Sequence, residues 1–72
     1  MPNTTISQLT PREVEVLKAA AKGFTNAQIA IELGISRKTV ATYMSRIFAK
    51  LGVCNRTSAV VVYLLATESD ER

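Results

Sequence analysis

The stretch from residue 26 to residue 45, NAQIAIELGISRKTVATYMS, decides the fold. Its apolar side chains recur as Ile29, Ala30 and Leu33 and then, beyond Gly34, as Ile35, Val40, Tyr43 and Met44. That spacing predicts two amphipathic helices packed across one another, with a glycine where the chain must turn sharply. From Leu33 to Thr67 there are five basic residues, Arg37, Lys38, Arg46, Lys50 and Arg56, and no acidic one. A tight helix-turn-helix with a cationic second helix is suited to the major groove of DNA.

The flanks supply two more helices and the punctuation between all four. Thr10-Pro11-Arg12-Glu13 is a helix start: Thr10 caps, Pro11 suits the first helical position and Glu13 closes a capping box. Val14, Leu17, Ala20 and Ala21 form its apolar stripe, Gly23 ends it and Phe24 packs just beyond. Thr25 and Gln28 repeat the box at the head of the second helix, which keeps Ile29, Ala30 and Leu33 inward and stops at Gly34, with Ile35 plugging the core from the turn. Ser36 caps a third, longer helix that ends near Leu51 before Gly52. Val40, Met44, Ile47 and Leu51 share its inner face, flanked by Tyr43 and Phe48. Rotation by about 100° per residue puts Lys38, Ala41, Thr42, Ser45 and Ala49 on the opposite face, with Arg46 beside them. Such small and polar side chains let the helix backbone approach a groove floor closely.

A fourth helix, from Asn55 or Arg56 to about Thr67, has a different character. Ala59 to Ala66 reads AVVVYLLA, apolar all round. Ala59, Val60, Tyr63 and Leu64 are expected inward. Val61, Val62 and Leu65 are expected outward, where a second copy of the chain would have to cover them. The organisation expected is a flexible lead-in over residues 1–8 with Leu9 as the first packed anchor, one all-α domain over 9–67, and an acidic tail over 68–72.

Seventy-two residues permit one domain with one small core. There is no His and one Cys, so neither a zinc site nor an internal disulfide is expected, and no cofactor is implied. Cys54 suits a small turn position better than a redox switch, and a single thiol fits a reducing compartment. The run from Ala59 to Ala66 is too short to cross a bilayer, so no membrane partner is expected. The net charge of +3 is modest, but acids gather towards the ends and leave the middle cationic. No residue cluster pairs a nucleophile with a base, which argues against an enzyme.

Phosphate contact needs cations and well-aimed N–H donors. The start of the third helix offers free N–H groups beside Arg37, Lys38 and Thr39, and Asn26 can do the same at the start of the second. Thr42 and Ser45 can hydrogen-bond to base edges, and Ala41 or the Thr42 methyl can touch a thymine methyl. Arg46 alone has the fork for bidentate guanine recognition, with phosphate contact as the alternative. Tyr43 either donates to a phosphate or fills the core edge. Arg56 either reaches a phosphate or pairs with an acid such as Glu13, the structural role being favoured.

The ordered set LTPREVEVL (9–17), AKGFTNAQIA (21–30), LGISRKTVATYMSRIFAKLGV (33–53) and NRTSAV (55–60) resembles the DNA-binding effector domain shared by LuxR, FixJ, NarL and GerE. The resemblance implies four helices, the third in the major groove and the fourth forming a two-fold dimer on paired half-sites. It implies that Ala41, Thr42 and Ser45 face bases while Thr25, Asn26, Lys38, Thr39, Arg46 and Lys50 lie near phosphates. This chain departs from many relatives in having Ala27 for a lysine, Tyr43 for a histidine, and no Lys or Arg at the base-facing positions.

The function expected is therefore a sequence-specific, dimeric regulator of bacterial transcription, working in the cytoplasm with the nucleoid. Its expected partners are double-stranded DNA, a second copy held weakly without DNA, and RNA polymerase. One alternative is the DNA-binding fragment of a larger response regulator or quorum-sensing regulator. Another, of a different class, is a helical protein-interaction module that docks a partner on the fourth helix. A sigma-factor promoter-recognition module shares the helix-turn-helix but would not predict the apolar fourth-helix face.

Overall fold

The computed structural model describes the backbone of residues 4–70 and the side chains of residues 6–66. The described chain runs α1 (Thr4–Ser7), α2 (Pro11–Ala21), α3 (Asn26–Leu33), α4 (Arg37–Leu51) and α5 (Arg56–Asp70), with no strand among these residues. The four expected helices are α2 to α5, and α1 is a single turn ahead of them. Of the expected lead-in, residues 1–3 lie outside the described residues, and Thr4–Ser7 is helical. Of the expected acidic tail, residues 68–70 continue α5 and 71–72 lie outside the described residues.

Local chemistry sets each boundary. Thr10 Oγ1 accepts from Glu13 N at 3.1 Å, and Glu13 Oε1 accepts from Thr10 N at 2.9 Å. Thr25 and Gln28 repeat that reciprocal box at 3.2 and 2.8 Å. Each box satisfies two amides that a helix start leaves without partners. Ser36 Oγ accepts from Thr39 N at 3.0 Å, and Asn55 Oδ1 accepts from Ser58 N at 2.8 Å. Gly34 and Gly52 both adopt a φ of +70°, the left-handed geometry that closes α3 and α4. At the first of these turns Ile35 N donates to Ala30 O at 2.9 Å, which swings the chain across α3 and fixes the entry of α4.

Val16, Leu17, Ile29, Val40, Ile47 and Ala59 are fully buried, with Leu9, Ala19, Ala20, Ala30 and Met44 nearly so. This core draws on every helix from α2 to α5. α2 packs chiefly against α5 and α4, and α3 packs chiefly against α4. Each fully buried Leu, Ile or Val contributes about 1.5–3 kcal/mol. The inner stripe of α2 is rotated from the expected one: Val16 and Ala19 are buried, whereas Val14 and Ala21 are only partly covered. The rotation brings Glu13 inward, where it is 2% exposed. Its Oε1 also accepts from Lys50 Nζ at 2.9 Å. No buried side-chain nitrogen or oxygen among the described residues lacks a partner.

The Glu13–Lys50 pair ties the start of α2 to the end of α4. Burial pushes the Glu13 carboxyl up, but the Lys50 ammonium and the Thr10 amide outweigh it, so its pKa is held below the ordinary value. A carboxyl with a lower pKa in the folded chain stabilises the fold above its unfolded value, near 4.3, and loses that contribution as pH falls through the folded value. Thermal midpoints are therefore expected to hold from neutral pH to about 5 and to fall below about 4. In Glu13→Gln this acid-limb slope should be shallower, and an identical slope would remove the pair as its source.

The rotation of α5 also differs from expectation. Ala59 and Ala66 are buried, with Val62 and Tyr63 partly buried between them. Leu64, expected inward, is 49% exposed, and Val62, expected outward, is partly buried. The reason is helical phase: Ala59 and Ala66, seven residues apart, define the inward direction, and Leu64 then lies about 150° away from it. The outward face is Val61, Leu64 and Leu65. No single helix among the described residues is long and apolar enough to cross a membrane.

Candidate nucleic-acid interface

α4 has one buried and one bare side. Val40, Met44 and Ile47 are buried, with Tyr43, Phe48 and Leu51 partly covered beside them. Lys38, Ala41, Thr42, Ser45, Arg46 and Ala49 are all exposed. The expected outward orientation of Thr42 and Ser45 is thus what the packing produces. Lys38 and Arg46 stand about 12 Å apart along the helix axis, close to the width of a major groove.

The charges on this face are uncommitted. Arg37, Lys38 and Arg46 have no carboxylate partner among the described residues, where the two ion pairs are Arg12–Glu15 and Lys50–Glu13. Ser36 leaves the α4 amino-terminal end with Arg37 and Lys38 immediately beside it and no acid in its first turn. That end combines a partial positive charge with two cations.

Hydrogen bonding refines the polar groups. Thr42 Oγ1 donates to Lys38 O at 3.2 Å. Its proton is thereby committed, leaving Thr42 an acceptor oxygen and a methyl group for the outside. Thr39 Oγ1 and Ser36 Oγ share a 2.9 Å hydrogen bond. Thr39, Thr42, Tyr43 and Arg46 line a shallow cleft of about 170 Å³ on the exposed flank of α4. Of these Tyr43 is partly buried and packs against the core.

The remaining site candidates divide. Thr25 is exposed at the head of α3, next to Asn26. Asn26 Oδ1 accepts from Arg56 at 2.8 Å, and the other Arg56 arm donates to the Phe24 carbonyl. Arg56 is therefore structural, as favoured, but its partners are Asn26 and Phe24 and not Glu13. The partner of Glu13 is Lys50, whose charge is thus engaged within the chain. Arg12 is a further strut: it donates to Leu33 O at 3.3 Å and to Glu15 at 2.8 Å. These ties join residues 21 to 37 positions apart, and no local pattern announces them. Cys54 is exposed in the turn before α5. Ile31 is 82% exposed beside a depression lined by Ala27, Ala30, Gly34, Ile35 and Arg37.

The family described as "Bacterial regulatory proteins, luxR family" matches residues 7–63, which takes in the core, the helix-turn-helix and most of the apolar run of α5. Among named relatives, the chain is 43% identical over 67 residues to the "Probable transcriptional regulatory protein SgaR" of Hyphomicrobium methylovorum, covering 93% of this chain and 32% of that protein. It is 50% identical over 62 residues to the "HTH-type quorum sensing-dependent transcriptional regulator VjbR" of Brucella ovis, covering 86% of this chain and 24% of that protein. It is 49% identical over 53 residues to the "Response regulator protein VraR" of Staphylococcus aureus, covering 74% of this chain and 25% of that protein. The chain thus spans about a quarter to a third of the length of these relatives. With its caps, its turn at Gly34 and its bare cationic helix all inside the matched segment, the chain belongs to the luxR family of bacterial regulatory proteins, DNA-binding regulators of transcription and not enzymes.

Proposed function

We propose that this domain binds double-stranded DNA sequence-specifically with α4 in the major groove, and that two copies related by two-fold symmetry occupy paired half-sites. The carrying observation is the bare side of α4, where small and polar residues are flanked by cations with no carboxylate partner among the described residues. Ala41, Thr42 and Ser45 are assigned to base edges. Thr25, Asn26, Arg37, Lys38 and Thr39 are assigned to phosphates, with Arg46 able to serve either. Lys50 belongs to the brace with Glu13 more than to the phosphate set, because its ammonium is already paired. With an acceptor, a methyl and a small hydroxyl as the base-facing chemistry, DNA shape and half-site spacing carry much of the specificity.

The outward face of α5, Val61 and Leu65 from the expected set and Leu64 in place of Val62, is assigned to pairing of two copies. Three side chains make a patch well below the area of a stable interface, so pairing strengthens on DNA. On this basis the domain works in the cytoplasm on nucleoid DNA, beside RNA polymerase.

A salt titration tests the polyanion contact. Binding to a mixed-sequence duplex is expected to weaken linearly in log–log form as salt rises. Lys38→Ala should weaken binding to all sequences alike and flatten the slope by about one. No duplex binding at low salt would favour the protein-interaction alternative, and an unaltered slope would take Lys38 out of the phosphate set.

A further inference from the structure

We propose that Arg56 is a positioning residue for DNA binding: it holds the Asn26 side chain so that the amide N–H₂ group, and not the amide oxygen, faces a DNA phosphate. This rests on the assignment of Asn26 to the phosphate-contacting set.

Donor and acceptor chemistry decides which end of the amide faces out. A guanidinium only donates, and a phosphate oxygen only accepts. Asn26 opens α3 and is partly exposed, so its amide can present either end to a ligand. Arg56 donates to Asn26 Oδ1 at 2.8 Å, which turns the oxygen towards the protein. Nδ2 occupies the other fork of the same planar amide and has no partner within the chain among the described residues. Two donors are thereby left for an acceptor outside. Without the guanidinium, rotation about the last side-chain bond would let the oxygen face the phosphate, where two acceptors repel.

The second arm of Arg56 makes the positioning firm. It donates to the carbonyl of Phe24, in the connection between α2 and α3 that also carries the Thr25 cap. One rigid fork thus grips the connection and the first residue of α3 together, from the first residue of α5. Lysine cannot reproduce this, because a single ammonium lacks the fixed fork.

The test is a double-mutant cycle on the whole chain, read as anisotropy of a labelled mixed-sequence duplex two helical turns long. Phosphate contacts are independent of sequence, so no operator is needed. Asn26→Ala is expected to bind about tenfold more weakly or worse, the worth of one hydrogen bond to a charged group. Arg56→Lys, which keeps the charge, is expected to lose about threefold alone and nothing further in the Asn26→Ala background. An equal loss in both backgrounds would overturn the proposal while leaving Asn26 a phosphate contact, and so would Arg56→Lys binding as tightly as the unaltered chain. Unchanged affinity in Asn26→Ala would overturn the Asn26 assignment and the proposal with it. If Arg56→Lys melts below the assay temperature, the side-chain N–H₂ resonances of Asn26 in the unaltered chain decide. Addition of duplex is expected to shift them strongly, and resonances that stay in place overturn the proposal.

Discussion

Ser45→Glu is expected to leave the thermal midpoint of the domain unchanged and to weaken duplex binding by about 100-fold or more, equivalent to about 2.7 kcal/mol. Ser45 is exposed at the middle of the bare side of α4, so no packing is lost, and glutamate is at least as good a helix former as serine. The loss comes from charge. At about 8 Å and an effective dielectric near 20, each neighbouring phosphate repels the new carboxylate by about 2 kcal/mol. Ser45→Ala, which removes one hydroxyl, should change affinity only a few-fold and chiefly for the preferred sequence. Circular dichroism melts and anisotropy titrations on the same samples separate fold from binding. A Ser45→Glu chain that binds as well as the unaltered one would show that another surface meets the DNA.

Leu65→Glu is expected to abolish pairing of two copies while sparing single half-site binding. Leu65 is 59% exposed in the single chain, so the substitution costs the monomer little. In a two-fold interface every substitution counts twice. Covering the three-fifths of each leucine still exposed is worth about 1–2 kcal/mol, or about 2–4 kcal/mol in the pair. Sedimentation at high protein concentration should then show monomer alone, and binding curves on selected paired half-sites should lose their cooperativity. Persistent dimer in Leu65→Glu would move the interface elsewhere. Val62→Glu serves as the contrast. Read from sequence, Val62 faces outward and its replacement spares the fold. Partly buried on the inner flank of α5, it should instead lower the melting midpoint.

The two mutants mark where sequence patterning suffices and where it runs out. On α4 the alternation is clean. Val40, Met44 and Ile47 are apolar while Lys38, Thr42 and Ser45 are not, so the period alone sorts inside from outside. On α5 every residue from Ala59 to Ala66 is apolar, so no contrast marks the phase. There tertiary packing sets the rotation: α5 packs chiefly against α2, and Ala59 and Ala66 are the residues of the run that end up buried. α2 shows the same limit in milder form, since Val14 and Val16 are equivalent to a pattern but not to the core.

Helix starts and stops, the turn at Gly34 and the bare side of α4 were legible from residue order because they arise within one helical turn. A cap satisfies amides three residues away, and a stripe needs only the helical period. The struts beneath the candidate interface were not legible: Glu13 with Lys50, Arg56 with Asn26 and Phe24, and Arg12 with Leu33. Each joins groups far apart along the chain whose meeting depends on how whole helices cross. Any of several acids and cations would have served equally well as partners on paper. Only packing selects among them, because a buried charge tolerates one geometry and the core chooses which groups are buried together.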